Sequence, residues 1–394
     1  MIDCLVIGGG PAGLMAADEV SKAGHRVTVI DAMPSLGRKF LMAGKSGLNL
    51  TKMESRDTFV ARYFHLPEPL QMALAGFGPE DVVTFAEDLG QACFVGTTGR
   101  VFPKVMKASP MLRAWLALLQ NQGVRFETRT KWINQSDGHH CVETPEGQKT
   151  IPSRSAVFAM GGASWPKLGS TGSWRGAFND MHLECRDFAP SNVSIRIDWS
   201  THMSLYFGRP LKAVRFSCRG RVLEGEATLT KHGLEGGPIY AASPDLRNSE
   251  QLFVDLVPAK NVTDIETVLA KARPKETLTN TLRKGLGMSS EKLALLHECG
   301  RPLPQGTELA ALIKALPVRY DGVGSLERAI SSAGGLDCSL LSHEFMLQGY
   351  RGLFAAGEML DWDAPTGGYL LTACFASGRA AGQGVNRYLS APSA

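Results

Sequence analysis

A chain of 394 residues with 44 % hydrophobic and 20 % charged residues has the composition of a globular protein, and it is long enough for two or three structural units. Its formal charge of +4 neither demands nor excludes a nucleic-acid partner, and no apolar run approaches the roughly 18 residues of a membrane span. Eight scattered cysteines form no C-x-x-C or C-x-x-x-x-C pair, which argues against a zinc site and against a local redox disulfide. The apolar start at Ile2 is too short and too glycine-rich for a signal peptide, so a cytoplasmic location is expected.

Ile2 to Ile7 reads as a buried strand, and it runs directly into Gly8-x-Gly10-x-x-Gly13. Helix formers fill Ala12 to Ala23 and stop at Gly24, and His25 to Asp31 alternates as a second strand ending in an acid. This β-α-β unit is the pattern of a dinucleotide site. Gly8 allows the tight turn, Gly10 lets the backbone approach a diphosphate, and Gly13 lets helix and strand pack closely. The helix N-terminus offers free N–H groups to the phosphates. Asp31, 18 residues after Gly13, is placed to accept from a ribose 2′-OH and disfavours the 2′-phosphate of NADP.

Farther along, Val157 to Ala159 is a third apolar strand ending in Gly161-Gly162, followed by the loop SWPKLGSTG. From Ser191 to about Pro258, Val193, Ile195 and Ile197 alternate with polar residues, as do Val214, Phe216 and Cys218, and a small β-barrel is expected. Helical signals take over from about Lys260 to Leu316, with Thr263-Asp264 as an N-cap and a second capped helix over Ser289 to Gly300. Near Tyr320 the chain turns back toward the first domain through AISSAGGLDCS.

The far end chooses between FAD and NAD. Leu353 to Ala356 is a strand running into Gly357-Glu358, then an acidic loop, then Gly367-Gly368 opening a helix rich in alanine and glycine, whose backbone another element can approach closely. Such an element suits a cofactor that extends past its ADP half. Asp361 is expected at the ribityl hydroxyls or the phosphates, and the Gly367 helix N-terminus at the pyrimidine edge of the flavin ring, where its dipole favours the reduced anion.

The segments GGGPAGLMAA, GRKFLMAGKSGLNLTK (37–52), GRVFPKVMKAS (99–109), AVFAMGGASWPKLGSTG (156–172) and the closing stretch 352–382 together resemble successive blocks of the YhiN/BaiN-type FAD flavoproteins. The resemblance implies an α/β fold: a glutathione-reductase-like Rossmann FAD domain, discontinuous, with an inserted β-barrel unit and a small helical unit. Its expected divisions are 1–190 for the first part of the FAD domain, 191–258 for the barrel, 259–318 for the helices and 319–394 for the return. It also implies FAD as the tightly bound cofactor, with Gly8, Gly10, Pro11, Ala12, Gly13, Asp31, Ala32, Arg38, Lys39, Asn49, Thr51, Gly161, Gly162, Gly357, Glu358, Asp361, Gly367, Gly368 and Tyr369 as cofactor-binding residues. Two departures stand out. Where family members commonly read Gly-Gly-Gly-Arg-Cys-Asn this chain has Lys45-Ser46-Gly47-Leu48-Asn49 after Gly44, so Gly47 and Leu48 take the Arg and Cys positions. Where they read GGYN it has Leu370 in the last place.

Flavin chemistry needs a positioned substrate and a dry pocket more than a reactive side chain. The expected reaction is reduction of a conjugated C=C bond of a small or medium substrate, with NAD(P)H as a transient electron donor because no second GxGxxG follows a strand. Tyr206, His232, Tyr240 and Tyr320, in or beside the insert, are the candidate proton donors. The alternatives are an rRNA uridine reductase docking RNA on the helical insert, a flavin amine oxidase using oxygen, and a non-catalytic flavin sensor. RNA is a less favoured partner than a small molecule, and neither a membrane nor an obligate protein partner is visible.

Overall fold

The computed structural model describes residues 2–44, 47–273 and 275–391. Lys45 and Ser46, the first two residues of the departure noted above, lie outside the described residues. The chain divides into two compact units, Met1–Ala189 with Ser331–Ala394, and Pro190–Ile330. No helix among the described residues is long and apolar enough to cross a membrane.

The first unit is built on a seven-stranded sheet. Its parallel part contains β1 (Ile2–Ile7), β2 (Val27–Asp31), β6 (Arg125–Thr128), the end of β9 (Gly147–Phe158) and the strand Leu353–Ala355. β7 (Lys131–Ser136) and β8 (His139–Thr144) extend it as an antiparallel meander onto the start of β9. β1 reads Cys4, Leu5, Val6 and Ile7 without alternation because a central parallel strand is covered on both faces. β3 (Thr51–Lys52), β4 (Cys93–Val95) and β5 (Arg100–Pro103) form a separate three-stranded sheet.

Helix α1 (Pro11–Lys22) packs along the C-terminal helix Tyr369–Ser390. The small residues of both helices make this possible. A Cβ on Gly378 would stand 2.2 Å from the Ala12 carbonyl oxygen, and one on Gly382 would stand 2.7 Å from Glu19 Cβ. Arg379 Nε bonds Glu19 at 3.1 Å on the outside of the same seam.

In the second unit, where a small β-barrel is expected, the described strands form two four-stranded sheets. The strands run only two to four residues each before left-handed glycines such as Gly225, Gly233 and Gly236 turn the chain. Four helices follow, Val262–Ala270, Leu278–Leu286, Ser290–Gly300 and Gly306–Lys314. They share one apolar core with the strands, Phe216, Leu229 and Val254 packing in the same cluster as Leu282, Leu296 and Ile313. The first helix starts earlier than Thr263: Asn261 is its N-cap, accepting from Asp264 N at 2.8 Å while Asp264 accepts from Asn261 N at 3.0 Å. The reciprocal pair satisfies two amides at once, which Thr263 could not do. Residues 319–330 stay with this unit, Gly324 N reaching the Ser194 carbonyl and Asp321 N that of Arg196, both at 2.8 Å.

Candidate cofactor cleft

At the carboxyl ends of β1 and β2 a cavity of about 700 Å³ opens, within the range of cofactor sites. The glycine turn forms its floor. Gly8 has φ +110°, and a Cβ there would lie 2.3 Å from the Ala159 carbonyl oxygen; one on Gly13 would lie 2.0 Å from that of Gly8. Gly10 is different. Its backbone is extended, and its Cβ would meet nothing within 4 Å. Gly10 therefore leaves room on the cleft side, and α1 begins there with no side-chain cap on its free amides. A dinucleotide diphosphate fits this arrangement.

Asp31 lies at the mouth. Its Oδ2 accepts from Gly9 N at 2.9 Å and its Oδ1 from Met33 N at 2.8 Å. Burial raises its pKa above the usual carboxylate value, and the two amides oppose that shift. Lys39, entering on helix α2 (Arg38–Ala43), reaches Glu358 Oε2 and Ser164 Oγ, both at 2.6 Å. Glu358 Oε1 also accepts from Ser332 N at 3.1 Å. Gly162 backs this network, where a Cβ would stand 1.8 Å from Ser332 Oγ. Gly357 abuts the first turn of α1, its Cβ position 2.7 Å from Ala12 Cβ. The opening glycine turn and the closing segment thus meet, although nearly the whole sequence separates them.

Gly8, Gly10, Pro11, Ala12, Asp31, Ala32, Arg38, Lys39, Gly161, Gly357 and Glu358 line the cleft. Gly13 and Gly162 stand behind its wall. A second group gathers where the C-terminal helix begins. A Cβ on Gly368 would lie 2.4 Å from Thr51 Cα, and Thr372 Oγ1 bonds Thr51 Oγ1 at 2.9 Å. Tyr369 donates to Glu54, its carbonyl accepts from Tyr63, and Asn49, with its amide turned to donate, reaches the Thr51 carbonyl. Gly367 stands next to them beside Arg100. Asp361 departs from expectation. It lines a separate cavity with Asp337 and His65, and Arg186 Nε holds its carboxylate at 2.9 Å. The 3₁₀ turn Gly357–Met359 explains this, because it directs Glu358 into the cleft and sends the chain on to the other side.

Sequence reasoning missed Trp132, Cys374, Ser170 and Asn134, all in the cleft wall. No periodicity marked Trp132 and Asn134, because β7 alternates as any half-buried strand does. Among the described residues the cleft keeps two buried polar atoms without a protein partner, Arg38 Nε and Ser170 Oγ, as expected of groups that meet a bound cofactor. Behind Trp132 lies His140, fully buried, whose pKa burial lowers to about 4. The unfolded chain takes up this proton first as pH falls below about 6.5, so His140 costs up to about 3 kcal/mol of stability between pH 6.5 and pH 4. Urea midpoints of the wild type and of His140→Phe at pH 7 and 4.5 check this: the variant is expected to lose less on acidification.

A parallel sheet with a glycine turn, an uncapped helix N-terminus and an acid closing the second strand defines a Rossmann-type dinucleotide site, and Gly357 and Glu358 of the closing segment, which line the same cleft, suit the longer FAD of a flavin-dependent oxidoreductase. The model of the HI0933-like protein Rossmann domain matches residues 2–384, and the chain belongs to that family. It is 24 % identical to the ribosomal RNA dihydrouridine synthase of Escherichia coli K12, over 93 % of this chain and 94 % of that one. It is also 24 % identical to the 3-dehydro-bile acid delta(4,6)-reductase of Clostridium scindens, over 96 % and 97 %. In fold it is similar to the 3-ketosteroid delta1-dehydrogenase of Sterolibacterium denitrificans, with a TM-score of 0.54 at 12 % identity, covering 98 % of this chain and 99 % of that one.

Proposed function

We propose that the enzyme reduces a C=C bond conjugated to a carbonyl in a small or medium substrate, at the expense of NADH or NADPH. The observation that supports this most is the end-to-end similarity to a relative named as a bile acid reductase, joined to a cleft whose described lining residues include one cysteine, Cys374, and no cysteine pair. All eight cysteines are free, and burial pushes the Cys374 thiol in the cleft wall up to about 12. Among the described residues no group of three or more His, Cys, Asp or Glu could hold a metal.

FAD, when bound, supplies the exchange of an electron pair. The residues that would hold it are the α1 amides for the diphosphate and Asp31 for the ribose, with Lys39, Glu358, Thr51, Gly367 and Gly368 as further cofactor-binding candidates. Reduction also requires a proton at the carbon that receives no hydride. Tyr320 is a poor source, because its hydroxyl is tied to the Leu246 and Glu250 carbonyls. Tyr206, His232 and Tyr240 remain the candidates. Anaerobic mixing of the holoprotein with NADH and with NADPH tests the reading: bleaching of the flavin, restored by a cyclic enone, is expected. Flavin that stays yellow with both overturns it.

One feature favours a second reading, action on RNA. Residues 32–53 and 89–126 carry nine Lys and Arg and no Asp or Glu, although the chain as a whole is only +4. β3 and β5 pair these segments, and Arg100, Lys104 and Lys107 lie exposed near Phe94. A basic strip with an exposed aromatic suits single-stranded nucleic acid. Under this reading, charge reversal at Lys104 and Lys107 weakens binding of a single-stranded RNA, and rRNA from a deletion strain lacks one reduced uridine. An unchanged nucleoside profile removes it.

A further inference from the structure

We propose that His140 is a positioning residue for the cofactor: by holding the indole of Trp132 from behind, it fixes the wall against which the adenosine half of FAD packs. The inference rests on the FAD reading of the cleft and adds residues that the glycine fingerprint does not contain.

Trp132 lies at the ribose end. Asp31, which closes β2, offers its backbone carbonyl to Thr130 N at 2.9 Å, so the segment that follows, Lys131 to Asn134, runs along the same rim. The Trp132 ring stands edge-on to Phe158 at 5.0 Å and to Phe178 at 6.0 Å. Its Nε1 donates to His140 Nδ1 at 3.3 Å. Three contacts therefore fix the ring of a residue that is itself part of the cavity lining.

His140 is an expensive way to fill this position. Because Nδ1 accepts, Nε2 carries the proton, and that buried N–H has no partner. A phenylalanine would fill the space beside Phe158 without that penalty. What the imidazole adds is an acceptor aimed at one indole N–H, in a site where burial keeps it neutral and able to accept at ordinary pH. A departure from apolar packing of this kind is expected at positions that serve a site. Ser170 gives an independent sign from the same cleft: it is 6 % exposed, and its hydroxyl lacks a protein partner. Such a group is available to a ribose or an adenine.

The test compares the flavin-stripped full-length protein with Trp132→Phe, His140→Phe, the double variant, and His140→Gln, which restores an acceptor. Dissociation constants for FAD and for ADP, with the unfolding midpoint of each ligand-free protein, are the readouts. Trp132→Phe and His140→Phe are each expected to weaken FAD and ADP by about fivefold, by the same factor for both ligands. The double variant is expected to lose no more than either single one, since both remove the same bond. His140→Gln is expected to recover most of the affinity. Unchanged constants, additive losses, or a loss for FAD without one for ADP overturn the assignment, as does a lower unfolding midpoint with affinities intact. Failure of the wild type to bind FAD at all would instead overturn the cofactor reading itself.

Discussion

Gly10→Val yields a folded but colourless protein. The substitution is tolerated by the fold because the Gly10 backbone is extended, φ −86° and ψ −177°, and because an added Cβ meets no atom within 4 Å. The space it fills is the space the diphosphate needs, and the side chain also shields the uncapped amides of α1. FAD affinity is expected to fall by at least a hundredfold, about 3 kcal/mol, while the ligand-free unfolding midpoint stays close to that of the wild type. Gly13→Val is the contrast. Its Cβ collides with the Gly8 carbonyl at 2.0 Å, so stability and cofactor binding are lost together. Fluorescence titration with FAD and thermal unfolding of the two stripped proteins distinguish these outcomes, and a Gly10→Val protein that purifies yellow would remove the diphosphate from this turn.

Lys39→Met produces the second large effect. Glu358 is 7 % exposed, and three groups satisfy its carboxylate: Lys39, Ser332 N and, more weakly, Ser332 Oγ. Removing the ammonium leaves a buried carboxylate without its cation, the costly way to break such a pair. Since the Lys39 side chain is 25 % exposed, some solvent compensation is available, and the expected cost is about 2–3 kcal/mol. Lys39→Met/Glu358→Gln should recover a large part of it, because a neutral pair leaves no uncompensated charge. Urea unfolding of the three variants measures the coupling. If the double variant were as unstable as the sum of the single ones, the two side chains would not be acting as a pair.

Much of the cofactor-holding end was legible because its determinants are local. A strand, a glycine turn, a helix and a second strand fit within 30 residues, and two of the close approaches there are between near neighbours, Gly13 on the Gly8 carbonyl and Gly9 on Leu36. The small-residue pattern of the last helix was legible for a similar reason: alanine and glycine there have no role except to let another backbone come close, and α1 does so at Gly378 and Gly382.

Direction was not legible. Glu358 and Asp361 stand three positions apart in one acidic loop, and nothing in that spacing says that a 3₁₀ turn sends one into the cleft and the other against Arg186. The same holds for Trp132 and His140, which share a cross-strand neighbourhood only once β7 and β8 have paired around a register shift. The insert shows the limit most plainly, for alternation announced its strands but not that they would divide between two sheets and share their core with the helices.

By itself, then, the sequence determined the phosphate-holding β-α-β unit, the α/β class and the small-residue seam, because backbone conformation and close approach depend on residues a few positions apart. The tertiary structure alone decided that Lys39 meets Glu358 across 319 positions and that Asp361 turns away from the cleft. Those outcomes depend on which distant side chains can satisfy one another's charge and hydrogen bonds once the core has closed, and the order of residues along the chain does not carry that information.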